Sequence, residues 1–301
     1  MHTSLLLNAV LLFSAQAPAA EITWDAPPIY IVGQPYPARV TLKGADGLKV
    51  ELWKLAPAGF EVNGQPLGAR EGDAIVPVTG SLTAEHDLAS LLPQTGTFKL
   101  GFAGSDKTVD VLAAKAATRG QLQFLDMTPE DLANYKALLI TNRGSIVVEL
   151  WPDVAPNHVR NFLDLVDNGF FEGTLFHRVS PSFMIQGGDP WTRDKPQDRA
   201  SWGRGNGPRR VPAEFSTRKH EPGVLSAARG PDVNSASSQF FIMLSTNTGL
   251  DGQYSAFGKV LSGMEVVKAI ANAKGEVSQR DGTIKPFDPQ RIEHTFVLLQ
   301  D

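Results

Sequence analysis

The sequence predicts a mainly β protein in two parts: a small β-sandwich followed by a closed β-barrel capped by two helices. Three observations carry this. Short apolar or alternating runs, bounded by glycine, proline and Asp-Gly turns, recur along most of the chain. Only two segments show a sustained helical period, one after Pro156 and one over about 264–273. At 112–120 the composition changes to Leu-Ala-Ala-Lys-Ala-Ala-Thr-Arg-Gly, a small-residue linker. A chain of 301 residues is also large for one core. The parts assigned are 1–20, a signal peptide; 21–113, a β-sandwich-like domain of unassigned role; 114–136, a linker with a short helix; and 137–301, the barrel.

Taken in order, Leu5–Phe13 is apolar except for Asn8. It is far shorter than the roughly 20 residues a membrane helix needs. Small residues of A-x-A form follow at Ala15–Ala17 and Ala17–Ala19, the grammar of a cleaved secretory signal. The expected location is periplasmic or secreted, with no stable membrane insertion after cleavage. Val40–Lys43 and Val50–Leu52 flank Gly44-Ala45-Asp46-Gly47 and predict a hairpin, because Asp-Gly supplies positive φ. Phe98–Phe102 and Val109–Val111 about Gly104-Ser105-Asp106 predict another. Thr128-Pro129-Glu130-Asp131 has the order of cap, first-turn proline and N-terminal acids, so a short helix is expected at 129–135. Ala137–Thr141 and Ser145–Trp151 read as strands joined by Asn142-Arg143-Gly144. Val159, Phe162, Leu163 and Val166 share one helical face, closed by Gly169. Further strands are expected at 175–179, 183–186, 239–244, 256–260 and 291–299. In the helix at 264–273, Val267, Ile270 and Ala271 lie on one side. The loop 190–222, rich in Gly, Pro and Arg, has no assignable structure, and so long a loop in a compact domain is usually functional or mobile.

Composition removes many chemistries. With 28 Lys and Arg against 32 Asp and Glu, the net charge of −4 gives no global positive field, so nucleic acid is not an expected partner. The absence of cysteine removes disulfides, thiolate metal sites and thiol nucleophiles. His2, His86, His158, His177, His220 and His294 include no i, i+4 pair and no HExxH, so no metal is expected. Gly203–Pro208 is glycine-rich but neither follows a strand nor opens a helix. Ser216-Thr217-Arg218-Lys219 matches SxxK without its partner motifs. No cofactor is expected. What remains is one cation and two amides among aromatic and thioether side chains, in Phe176–Asp189 and Ser237–Ile242. On strands, alternation puts Phe183 with Ile185, Met184 with Gln186, and Gln239 with Phe241.

These blocks resemble the cyclophilin-type peptidyl-prolyl cis-trans isomerases. Phe176-His177-Arg178-Val179-Ser180-Pro181-Ser182-Phe183-Met184-Ile185-Gln186-Gly187-Gly188-Asp189 is similar to the family's FHRVxPxFMxQGGD. Ser238-Gln239-Phe240-Phe241-Ile242 is similar to its SQFFI, and Pro222–Ala228 to its PG-V/I-LSMA segment. Leu250-Asp251-Gly252, Phe257-Gly258-Lys259-Val260 and Asn161-Phe162 fit as well. The resemblance covers about 137–301. It implies a prolyl isomerase (rotamase) that assists folding and acts on X-Pro segments of unfolded or folding proteins. The catalytic arginine falls on Arg178, and the proline pocket on Phe183, Met184, Phe241 and Leu250. The polar floor falls on Gln186 and Gln239, and the backbone substrate contacts on Ala228 and Arg229. Tyr254 takes a pocket position often held by histidine. Gly249 stands where many members have tryptophan, which implies weak cyclosporin binding. The loop after Asp189 is longer than usual, and its Arg193, Arg199 and Trp202 suggest a basic rim beside the groove. Two other readings use the same residues: a proline-binding chaperone or docking module with little turnover, and a scaffold whose N-terminal domain docks a partner.

Overall fold

The computed structural model describes residues 21–51, 54, 56–70 and 75–299. The expected signal peptide lies outside them. The chain divides into two units. The first holds the described residues through Ala26, with Pro35–Leu92 and Lys99–Asp110; the second holds Pro27–Gln34, Pro93–Phe98 and the chain from Val111 onward. The division thus runs through strands and not at the small-residue linker.

The strands of the first part are β1 (Glu21–Asp25), β2 (Ile29–Ile31), β3 (Pro37–Glu51), β4 (Phe60–Val62), β5 (Gln65–Pro66), β6 (Ile75–Asp87), β7 (Gly96–Phe102) and β8 (Thr108–Ala114). In the first unit, β3 pairs antiparallel with β1 and β6. The expected hairpin at 44–47 is absent. β3 runs on as one strand, and its register against β6 slips between Gly44 and Leu48, so the Asp-Gly pair is taken up as a bulge. The expected turn at 104–106 is present, with Gly104 at φ 78° and Ser105 N–H donating to the Phe102 carbonyl. The core of this unit is aromatic: the Phe60 ring lies 5.1 Å from Phe102, 6.0 Å from Trp24 and 6.4 Å from His86, centre to centre.

In the second unit, Thr128 caps α1 (Pro129–Leu132) through a reciprocal box with Asp131. The helix stops short of 135 because β9 (Tyr135–Thr141) begins there. Then follow β10 (Gly144–Leu150), α2 (Pro156–Asp167), β11 (Arg178–Ser180), β12 (Met184–Gly187), α3 (Trp191–Asp194), β13 (Val224–Ala227), β14 (Phe240–Met243), β15 (Ala256–Ser262), α4 (Met264–Ala271), β16 (Gly275–Val277), β17 (Ile284–Pro286) and β18 (Ile292–Leu299). The strand order is β16-β17-β11-β12-β14-β13-β15-β10-β9-β18. The ladders form a row, not the expected ring. Where 173–176 meets 290–292, one Leu175–Arg291 bridge joins the segments. Backbone hydrogen bonds support it, from Gly173 to Ile292, Ile292 to Thr174 and Phe176 to Gln290.

Pleat alternation sorts the side chains. Ile185, Leu225, Phe240 and Ile242 join the main core under α2 and α4, while Met184, Phe241 and Met243 form a separate apolar cluster on the other face. The expected helix face of Val159, Phe162, Leu163 and Val166 is buried, and Gly169 at φ 67° lets the Phe170 N–H close the helix on Leu165. Val267, Ile270 and Ala271 of α4 are buried as expected. Among the described residues no helix is long and apolar enough to cross a membrane.

Candidate functional site

The cluster on the second face floors a cleft of about 930 Å³. Arg178, Phe183, Met184, Gln186, Ala228, Arg229, Phe241, Leu250 and Tyr254 all line it. Gln239 does not: it lies in the adjoining cavity, joined to the cleft through Gln186. Phe183 does not share a face with Ile185, because it precedes β12 and alternation does not reach it; it packs with Met184 and Phe241 instead. Phe241 is 5% exposed and makes an edge contact with Tyr254 at 5.7 Å.

Arg178 opens β11 beside this apolar floor. Three acceptors hold its guanidinium. Nη1 donates to Gln186 Oε1 at 2.8 Å, Nε to Thr283 Oγ1 at 3.1 Å and Nη2 to Asp281 Oδ2 at 2.9 Å. A guanidinium carries five N–H donors, so two remain. Gln186 passes the link on, its amide donating to Gln239 Oε1 at 3.0 Å. Asp281 and Thr283 belong to the β16–β17 hairpin, which the sequence reading missed. Burial alone would raise the Asp281 carboxyl, but hydrogen bonds from Thr283 and Ser278 and the Arg178 charge outweigh it and hold it well below the usual range. The signal was present: Asp281-Gly282, with Gly282 at φ 68°, between two short alternating runs.

The loop after Asp189 is ordered by a buried carboxylate. Asp189 is fully buried and accepts the backbone N–H groups of Trp191 and Gly203. A Cβ on Gly205 would lie 2.0 Å from Asp189 Oδ1, so the loop closes over this carboxylate only with glycine there. Gln239 Nε2 donates to the Gly203 and Gly205 carbonyls at 3.0 and 2.8 Å. The basic rim expected from Arg193 and Arg199 is not built from them. Arg193 is spent on the Phe170 and Glu172 carbonyls and on Asp194, and Arg199 on the Pro286 carbonyl and the Trp202 ring. Trp202 does line the cleft, as do Arg204, Arg280 and Lys285.

A second constellation lies under the floor. His220 Nε2 is 3.0 Å from Ser226 Oγ, its Nδ1 is 3.2 Å from Asp251 Oδ1, and its ring stacks on Phe241 at 22°. The residue types are those of a nucleophilic triad, but Ser226 is fully buried and donates to the Ser255 carbonyl. The trio is a strut beneath Phe241. Gly249 sits in the turn Thr248–Leu250, with its N–H on Asn247 Oδ1 at 3.0 Å.

A family model described as cyclophilin type peptidyl-prolyl cis-trans isomerase/CLD matches residues 137–297. A probable peptidyl-prolyl cis-trans isomerase of Brucella suis is 43% identical over 153 residues, covering 50% of this chain and 75% of that protein. A peptidyl-prolyl cis-trans isomerase of Acinetobacter baylyi is 41% identical over 147 residues, covering 47% and 74%. A solved Cryptosporidium parvum cyclophilin type isomerase, determined in the presence of the dipeptide ala-pro, is 30% identical and covers 55% of this chain and 99% of its own, with a TM-score of 0.47.

Proposed function

The chain belongs to the cyclophilin-type peptidyl-prolyl cis-trans isomerases, and from that premise we propose that it catalyses X-Pro rotation in unfolded or folding proteins outside the cytoplasm, with Arg178 as the catalytic residue. The observation that carries this is a guanidinium held by three acceptors at the edge of an apolar floor.

The X-Pro bond resists rotation by a barrier of roughly 18–20 kcal/mol from amide resonance. No bond is made or broken, so the reaction asks for neither nucleophile nor electron carrier. At the twisted state the prolyl nitrogen becomes pyramidal and basic. A free N–H of Arg178 donates to it there and localises the lone pair, an interaction stronger at the twist than in the ground state. Arginine suits the role because it stays charged and presents a rigid fork. Phe183, Met184, Phe241 and Leu250 hold the ring while the acyl side turns. An acceleration of about 10⁵ needs about 7 kcal/mol. One charge-assisted hydrogen bond supplies roughly 1.5–3 kcal/mol, so positioning in the hollow supplies the rest.

Exchange spectroscopy on an X-Pro peptide tests this. Arg178→Ala should slow turnover at least about tenfold with the fold intact; an unchanged rate in a folded variant sinks the mechanism. Gly249 in the tryptophan position supports weak inhibition by cyclosporin, checked in the same assay. The apolar stretch and small residues of 5–20 support export, read from the mature N-terminus in periplasmic and culture fractions. One observation favours a proline-binding module with little turnover: Asp281 already occupies part of the Arg178 charge. Peptide binding without acceleration would select that reading.

A further inference from the structure

Beside the proline hollow lies a second cavity of about 260 Å³. Gln186, Gly203, Arg204, Ala228 and Arg229 border both, so the two are continuous. Gln186 stands at the boundary, bonded to Arg178 on one side and to Gln239 on the other. The distinguishing feature of the second cavity is its charge. Arg204, Arg210 and Arg229 line it together with Asn206, Ser235 and Gln239, and among the described residues no Asp or Glu does.

Several arginines of this domain are paired with carboxylates. Arg209 pairs with Asp164 at 2.6 Å, Arg119 with Glu172 at 2.5 Å and Arg178 with Asp281 at 2.9 Å. Among the described residues Arg204 and Arg210 have no such carboxylate. Among the same residues Arg229 is fixed by neutral groups only. Its Nε and Nη2 donate to the Gln253 carbonyl at 3.1 Å, its Nη1 donates to the Gly230 carbonyl at 3.0 Å, and its guanidinium covers the Tyr254 ring at 4.7 Å. Three uncompensated cations in one concavity focus a positive potential there, although the whole chain carries −4. Arginine forks match carboxylate oxygens in geometry as well as in charge.

We propose that this cavity is an anion-selecting subsite: it takes the carboxylate side chain of an Asp or Glu close in sequence to the isomerised proline, so the protein prefers acidic X-Pro segments over neutral or basic ones. The proposal rests on the isomerase reading of the neighbouring cleft. An extended chain advances about 3.3–3.6 Å per residue, so the residues within about three positions of a bound proline are those that reach the cavity. Arg210 is the diagnostic group, because it borders the second cavity and not the cleft.

The test uses the full chain and a set of Ala-Pro peptides. Glu, Gln or Lys is placed singly at each of the three positions before and after the pair, and turnover is read by exchange spectroscopy. At about 20 mM salt, one position should give kcat/KM at least about fivefold higher for Glu than for Gln, with Lys below Gln. At about 0.5 M salt the Debye length falls to about 4 Å, and the Glu/Gln ratio should shrink toward one. Arg210→Gln should lower the ratio at low salt to below about two, with Arg210→Lys between it and the natural chain. A ratio near one at every position overturns the subsite, as does a ratio that survives Arg204→Gln combined with Arg210→Gln. If no peptide is turned over, the isomerase reading fails separately. The Glu/Gln ratio of affinities, measured by titration with the same peptides, then decides the subsite by the same criteria.

Discussion

Asp281→Ala removes the one charged partner that Arg178 has among the described residues and leaves Gln186 in place. A hydrogen bond to a charged group contributes roughly 1.5–3 kcal/mol when shielded. Here the side chains are 34% and 37% exposed, and screening reduces exposed pairs to roughly 0–1 kcal/mol. About 1 kcal/mol is left to orient the guanidinium, which at roughly 1.4 kcal/mol per decade is about a fivefold fall in turnover. An opposing effect exists, since the carboxylate also draws positive charge away from the proline. Orientation wins because Asp281 holds Thr283 too, accepting its hydroxyl at 2.7 Å and its N–H at 3.1 Å, so both hairpin contacts to Arg178 loosen together. The assay is peptide exchange on the natural chain, Asp281→Ala, Asp281→Asn, Arg178→Lys and the Ala/Lys double variant. The loss should fall on kcat, Asn should recover part of it, and Asp281→Ala should cost little on the Arg178→Lys background. Turnover equal to or above that of the natural chain in Asp281→Ala would refute the reasoning. Fully additive losses would assign the hairpin a stability role only.

Three further outcomes are expected. Phe241→Ala should cost roughly 3–5 kcal/mol of stability, the usual range for a buried ring, and abolish most turnover, read by urea titration and exchange spectroscopy. Burial lowers the His177 imidazole to about 4, against the pull of the Asp189 charge, from an ordinary value of 6.5. Between those values the unfolded chain binds more protons than the folded one, so stability should drop as pH falls from about 6.5 to about 4; urea midpoints across that window check it, and His177→Gln should flatten the slope. Gly205→Ala would place a Cβ 2.0 Å from Asp189 Oδ1 and 2.9 Å from Trp191. That overpacking should cost roughly 1–3 kcal/mol and raise amide exchange over 199–207, with unchanged exchange counting against the buried-carboxylate account.

The parts of the site that obey a local rule were legible in the sequence. Met184 and Phe241 sit on strands, so a period of two gave the face each one takes, while their place in the pocket, like that of Arg178, came from the resemblance of the ordered blocks. Phe183 escaped the rule because it lies one residue before its strand. The loop at 190–222 looked structureless because its organiser, Asp189, acts through backbone N–H groups that leave no mark on composition. The trio of His220, Ser226 and Asp251 was invisible for a related reason: Asp251 lies 31 residues from His220, and the three meet only once β13 and the Leu250 turn are in place. Asp281 combines both difficulties. Its turn has a local signature, but its partner lies 103 residues away. The Asp46-Gly47 pair shows the converse, a strong local signal that the long pairing of β3 with β6 overrides.

The second unit begins before the first has finished. β2 pairs with Leu112–Ala114, and Ile29 and Ala114 pack on Leu138, Val147 and Leu298. Lys115 and Ala117 then hydrogen-bond to β18. A fragment starting at Tyr135 would therefore bare a greasy flank and invite clumping in the test tube. Whoever wants the enzyme alone should keep Pro27–Gln34, Pro93–Phe98 and Val111 onward, and splice out only the two stretches between them.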